Sequence, residues 1–376
     1  MKRTLAIILV LLLGISLLAG CGSKSVEPTS VLSEKPDDIP TSEPTASLSQ
    51  TPESEFVYDP EKDDDQGRFS GGSFSETVGD YTISAEWVPF AESLPREEKS
   101  DARIAVIGDA YYVLVEGVIR QYKLENGGLM FEKEMPLPED SRTYKALSSD
   151  DNGVLYISGQ GSDFSAYVDK DSEPIFLAKG YSVSGTVQMH PSGEWGINSS
   201  GQKVIRDGDT FKIDKDWTWS HAEDMKTISE VSVSQNHIFI GGWTNIVKNE
   251  ELKINAIGVF VYDLEGNRVA ILREDEEYDG RGSAPGSMGA PHGVVETRNG
   301  FIVSENNFNN LVFYKHDGTF IGEIDTRKLF GIDHSRNLIL LRTPAQLPDG
   351  SFLYSVIVER PDAGGDEVIV CRVSGF

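Results

Sequence analysis

Cysteine is nearly missing from this sequence. Its 376 residues include only Cys21 and Cys371, so if Cys21 is taken by another modification no internal disulfide is possible and the fold has to rest on its apolar core. Positive charge is also short: 34 Lys and Arg stand against 60 Asp and Glu, a formal net charge of −26. A surface of that sign repels nucleic acid and anionic headgroups, which removes nucleic acid as a partner. The acidic excess reads first as a solvated surface. Residues 73–376 show no convincing amphipathic helix period. Missing too are GxSxG, HExxH, a Walker-type glycine loop and a cysteine pair for redox work. The glycine-rich run GRGSAPGSMGAPHG precedes a strand pattern rather than a helix, so it offers no helix N-terminus to a phosphate.

What is present begins with MKRTLAIILVLLLGISLLAGC. Lys2 and Arg3 form a positive segment, Leu5 to Leu18 an apolar one, and Ala19 and Gly20 a small-residue cleavage point before Cys21. The apolar run falls short of the roughly 20 residues of a membrane span, which makes residues 1–20 a cleaved signal peptide. Leu18-Ala19-Gly20-Cys21 resembles the lipobox of bacterial lipoproteins. The resemblance implies a lipid on the Cys21 sulfur and anchoring in the cell membrane on its extracytoplasmic side. Cys371 is then the remaining thiol, and its place in the alternating run EVIVCRV marks it as a small buried hydrophobe.

Residues 21–72 are rich in Ser, Thr, Pro, Glu and Asp and poor in large apolar side chains. Such a segment cannot offset its ordering entropy and is expected to be a disordered tether. Its reach is roughly 40 Å as a flexible coil and roughly 160 Å when stretched. The prolines and Asp63-Asp64-Asp65 favour the longer end, which lifts the following domain off the membrane.

From residue 73 onward the chain repeats. GVVET, FIVSEN, NLVFYKH and TFIGEID are short strands rich in β-branched and aromatic residues, separated by turns at Asn299-Gly300 and Asp317-Gly318. The same order recurs in VSVS, HIFIGGW, IGVFVYDL and RVAILRE, and less cleanly in copies further upstream. Four strands per copy at a spacing of roughly 40 to 60 residues fit propeller blades better than a sandwich. The expectation is an all-β, six-bladed β-propeller over 73–376. The last copy lacks its outermost strand, and YTISAEWV, residues 81–88, has no hairpin partner of its own in this reading and closes the ring there.

The copy APHGVVETRNGFIVSENNFNNLVFYKHDGTFIGEID resembles an NHL-type repeat. The matching positions are Pro291-His292-Gly293, Asn299-Gly300, Asn309-Asn310 and Asp317-Gly318. The resemblance implies a six-bladed propeller similar to that family and transfers no activity.

In such blades the turn from second to third strand and the connection to the next blade emerge on one face. This places Gln160, Asp163, Trp243, Asn245, Glu305, Asn306 and Asn307 there from within blades, and Trp219, His221, Glu276, Asp279, His292 and His334 from between them. Three histidines, His221, His292 and His334, are a candidate zinc set, zinc taking neutral imidazole nitrogens. Asp263, Glu265, Asn267 and Glu274 have EF-hand spacing, but Arg268 stands where that loop needs glycine, so a hairpin turn is expected. The run Glu274-Asp275-Glu276-Glu277 with Asp279 is a more open calcium candidate.

These features favour a membrane-anchored extracytoplasmic binding module for a peptide, glycan or partner protein, with no cofactor, over an enzyme. The alternatives are a metal-dependent lyase or hydrolase of the NHL-like type, and a structural accessory of an envelope complex.

Overall fold

A computed structural model describes residues 73–91, 94, 101–137, 144–159, 163–168, 171–183, 185–222, 225–249, 252–273, 288–307, 309–332, 338–339, 342–358 and 365–376. The expected signal peptide, Cys21 and the expected tether lie outside the described residues, as do Gln160, Glu274, Glu276, Asp279 and His334. The described strands form six antiparallel sheets, the blades of a six-bladed propeller. Blades I to V are four-stranded and span 102–134, 144–178, 187–213, 225–272 and 291–325. Blade VI takes its strands from both ends of the domain.

The hairpin turns expected from the sequence set the registers. In blade I, Ala102 pairs with Val115 and Ile107 with Ala110 around Gly108-Asp109, and in blade V, Thr297 pairs with Gly300 around Arg298-Asn299. Second strands such as Ala110–Val115 and Gly300–Glu305 are mostly apolar and buried on both faces because a neighbouring blade covers each side. The strand Phe352–Val358 is buried at every position. The core therefore lies between blades, and its fully buried large side chains are Tyr and Phe, among them Tyr122, Tyr156, Phe239, Phe301 and Tyr354.

Adjacent blades are tied by hydroxyl groups on their inner and second strands. Ser355 Oγ donates to Ala102 O at 3.0 Å, and Val187 N donates to Ser158 Oγ at 2.8 Å. Ser229 Oγ donates to Pro291 O at 3.0 Å. These bonds satisfy backbone groups that a purely apolar blade contact would leave buried and unpaired.

The ring closes as expected: Tyr81–Trp87 runs antiparallel to Glu367–Ser374, with Trp87 opposite Cys371. One expectation is corrected. Tyr81–Trp87 does have a hairpin partner, Ser73–Val78, turning at Gly79-Asp80, so blade VI carries an extra outer strand. That strand covers the edge the closure would otherwise expose. Closure is further pinned by Trp87, whose Nε1–H donates to Phe330 O at 2.6 Å in the interior. Phe330 ends a short helix, Thr326–Phe330, capped by Asp325 at its start and by left-handed Gly331 at its end. Gly331 is required twice over, since its φ is +65° and the Phe74 ring occupies the space of any Cβ. Past Trp87, the Pro89 carbonyl accepts from Leu129 N and Ala91 N donates to Leu129 O, so the same segment also covers the edge of blade I.

Cys371 is buried, and desolvation pushes its thiol far above the ordinary range, as befits a packing residue. Among the described residues no helix is long and apolar enough to cross a membrane.

Trp87→Ala removes both a large buried side chain and the bond to Phe330. The expected loss is about 3–5 kcal/mol of unfolding free energy, measured as a lower urea midpoint at unchanged slope.

Candidate functional site

Four inner strands bring charged or imidazole side chains to one mouth of the central channel, the face on which the inner strands begin. Blade I contributes Asp101 and Arg103 at the start of Ala102–Ile107. Blade IV contributes Glu230 from Met225–Val233, and blade V contributes His292 from Pro291–Thr297. Blade VI contributes Arg342, between the inner segments Leu338–Ile339 and Ala345–Gln346. Blades I and IV stand opposite one another in the ring, so the contact of Glu230 with Arg103 crosses the channel.

Two of these side chains are aimed by backbone irregularities. The pairing of blade IV slips between Ile228 and Glu230, and that of blade V between Pro291 and Val294. A bulge of this kind re-aims a side chain that a regular strand would turn into a blade interface. Gly293, φ +136°, completes the second one: a Cβ there would lie 2.4 Å from Thr343 N, so only glycine lets blade VI bring Arg342 beside His292.

The geometry is a closed set of ion pairs. Arg103 Nη1 donates to Glu230 Oε1 at 3.2 Å, and Arg342 Nη1 donates to Glu230 Oε2 at 3.0 Å. Arg342 Nε donates to Asp101 Oδ1 at 3.2 Å. Arg342 Nη1 also lies 2.7 Å from His292 Nδ1. A guanidinium only donates, so this Nδ1 accepts, and the imidazole is the neutral form with its proton on Nε2. Burial by itself would raise the Glu230 pKa. Arg103 foremost, then Arg342, override that penalty and hold it at about 2. Arg103 is shifted upward: burial would lower its pKa, and Glu230 and Asp101 outweigh it. Beside the cluster, Asp101, Arg103, Leu114, Glu116, Gly117, Tyr144 and Lys145 line a pocket of about 10 Å³, the room of one water.

Blade IV also stands out from this face. Its second and third strands, Ile238–Asn249 and Leu252–Tyr262, pair as far as Asn249 opposite Leu252, with one register shift between Val247 and Asn249. The inner strand reaches only to Met225 opposite Thr244. Residues 245–249 thus extend as a two-stranded ribbon, roughly 16 Å long at strand rise. At its root Trp243 is 44 % exposed.

Of the residues expected on this face, His292 enters the cluster and Trp243 stands beside the ribbon. Asn245 pairs with Asn255 through the ribbon backbone. Asp163 is half-buried at the start of Phe164–Tyr167 in blade II. Glu305 is fully buried, and its Oε1 accepts from the backbone N–H groups of Gly289, Ala290 and Asn307 at 2.9, 2.7 and 3.1 Å. With Asn306 N donating to Ala290 O, this corner fixes the segment that enters the His292 bulge. The Asn307 side chain is exposed.

His221 lies elsewhere. Ser220 next to it bonds to Gly266 and Arg268, at the turn between the third and fourth strands of blade IV, the end remote from the mouth. The structure therefore does not bring His221 and His292 together, and among the described residues no three metal-ligating side chains converge. Asp263 and Asn267 form the expected hairpin turn, Asp263 Oδ1 accepting from Asn267 N at 2.7 Å.

Asp101, Arg103, Glu230 and Arg342 escaped the sequence reading. A signal did exist: an inner strand is flanked by two blades and the channel, so a charge within ARIAVI or ISEVSV must find its partner in the channel.

No family model matches this sequence, and no curated protein does. Similar solved structures include a chain of the nidogen/laminin complex, at 11 % identity over 70 % of this chain and 93 % of that one, TM-score 0.41. The WD40 domain of Neurospora crassa Pan2 matches at 10 % identity over 80 % and 89 %, TM-score 0.43. The WD40 β-propeller domain of Doa1 matches at 10 % over 77 % and 97 %, TM-score 0.40. Likeness at this level says nothing of activity, and the propeller assignment rests on the six sheets of this chain.

Glu230→Gln leaves two buried guanidinium groups without their shared carboxylate, and the expected loss at neutral pH is about 3–5 kcal/mol. The wild-type carboxylate, its pKa lowered in the fold, gives its full stabilisation above pH 4.5 and loses it as pH falls toward 2. Urea unfolding across that window should show the difference between wild type and variant shrinking with acid.

Proposed function

We propose that this chain is a lipid-anchored, extracytoplasmic binding module that recognises its partner at the channel mouth of the propeller. The observation that carries this reading is the convergence of Asp101, Arg103, Glu230, His292 and Arg342 from four blades at one mouth, beside a projecting ribbon and exposed Trp243. An exposed tryptophan beside arginines matches the enrichment of Trp and Arg among the residues that carry binding energy. A rigid ring holds such groups in place without ordering cost on binding. The membrane attachment rests on the signal-like N-terminus and Cys21, and residues 21–72 supply the reach.

A photo-cross-linking amino acid at Trp243 is expected to trap a partner on intact cells, whereas one at Lys315, in the turn at the far end of blade V, is expected to trap none. Equal trapping would place recognition away from the mouth. Cys21→Ser is expected to abolish labelling by a palmitate analogue and leave the precursor unprocessed. Normal labelling of that variant would remove the anchor.

A further inference from the structure

The ion pairs of the channel mouth leave donors over. Each arginine has five N–H groups, and a neutral imidazole has one. Arg342 commits Nε to Asp101 and Nη1 to Glu230 and His292, and its Nη2 has no partner among the described residues. Arg103 commits Nη1 to Glu230, and its Nη2 likewise has none. His292 accepts at Nδ1, which leaves its Nε2–H uncommitted. An independent sign of an unfilled site is Arg103 Nε, buried without a hydrogen-bond partner although its side chain is only 7 % exposed. At 3.4 Å from Asp101 Oδ1 it attracts that carboxylate without being aligned on it. An unsatisfied buried donor carries a desolvation penalty that an acceptor would relieve. All three residues meet around the one Glu230 carboxylate.

Resting on the binding-module reading above, we infer that the mouth takes the carboxylate of an extended peptide, with Arg342 and Arg103 supplying guanidinium donors and His292 the Nε2–H. A single negative charge suits a site that already holds Asp101 and Glu230 in a chain of net charge −26, where a phosphate dianion would meet stronger repulsion. The uncommitted Nη2 of each arginine can donate to one oxygen of a planar carboxylate. The ribbon of blade IV selects a peptide over other acids. Beyond Met225 the channel-side edge of residues 245–249 has no paired strand among the described residues, and its backbone N–H and C=O groups are the partners an extended main chain uses in strand addition.

The test uses the intact protein and three dye-labelled pentapeptide pools of random sequence: one with a free C-terminal carboxylate, one amidated, and one amidated with a single Asp. Retention of at least one carboxylate pool about tenfold above the plain amidated pool is expected, and whichever is retained identifies the terminal or the side-chain carboxylate as the source. Arg342→Lys, which keeps the charge and loses the fork, and His292→Ala should each reduce that retention about tenfold, with unfolding midpoints checked in parallel. Should Arg342→Lys fail to fold, His292→Ala and competition by free acetate but not acetamide carry the same discrimination. Equal retention of all pools, retention of none, or retention unaffected by both substitutions would overturn the inference. Competition by oligogalacturonate with no peptide retained would overturn it in favour of an acidic glycan. Cross-linking at Trp243 that succeeds while the pools show no difference would leave the binding module standing and reject only its carboxylate specificity.

Discussion

One carboxylate holds the middle of this molecule. Glu230 leaves blade IV and meets arginines of blade I and blade VI, so a single side chain spans the channel and joins blades that share no sheet. The energetics of such a group are two-sided. Removing two guanidiniums and a carboxylate from water costs several kcal/mol per ion, and their attraction repays this only when every partner is in place. The intact set is therefore a modest source of stability, and losing one member is severe. What it does supply is geometry, because each pair is satisfied in one arrangement of the ring.

That arrangement depends on closure at the opposite edge of the blades. A propeller whose last blade lacks a strand exposes a sheet edge, and here Tyr81–Trp87 fills the gap with Ser73–Val78 outside it. The same segment continues past Pro89 to cover blade I. Outer edge and inner channel are thus fastened by different physics, hydrogen-bonded strands outside and ion pairs inside. Between them the Ser and Thr hydroxyls and the buried aromatic rings carry the blade-to-blade contact.

The binding reading follows from a contrast in charge. The chain is strongly acidic as a whole, yet the mouth balances two arginines against two carboxylates around a neutral imidazole. On the proposed reading, a locally neutral, donor-rich centre in an acidic surround would discriminate among anions by number of charges rather than attract all of them. The ribbon and Trp243 add shape on one side only, which makes the mouth asymmetric.

The sequence by itself determined the repeats. Strand after strand is marked by β-branched and aromatic residues with turn residues between, because the two-residue period and the left-handed turn positions are local constraints. It also determined closure by residues 81–88 and, through Pro291-His292-Gly293, a corner of the channel mouth. It did not contain the hairpin of Ser73 with its partner strand, since SFSETV has little apolar alternation and pairs only because Trp87 and Phe74 pack on the helix at Phe330. The tertiary structure alone decided the channel cluster. Arg103 and Glu230 are separated by 127 residues, and Arg342 and Asp101 by 241. No local period links such positions: they meet because a closed ring sets blade I opposite blade IV and two bulges turn the side chains inward. The same ring keeps His221 and His292 at different ends, since a connection that looks like a face loop in sequence dips to the far turn of blade IV to satisfy its backbone against Gly266.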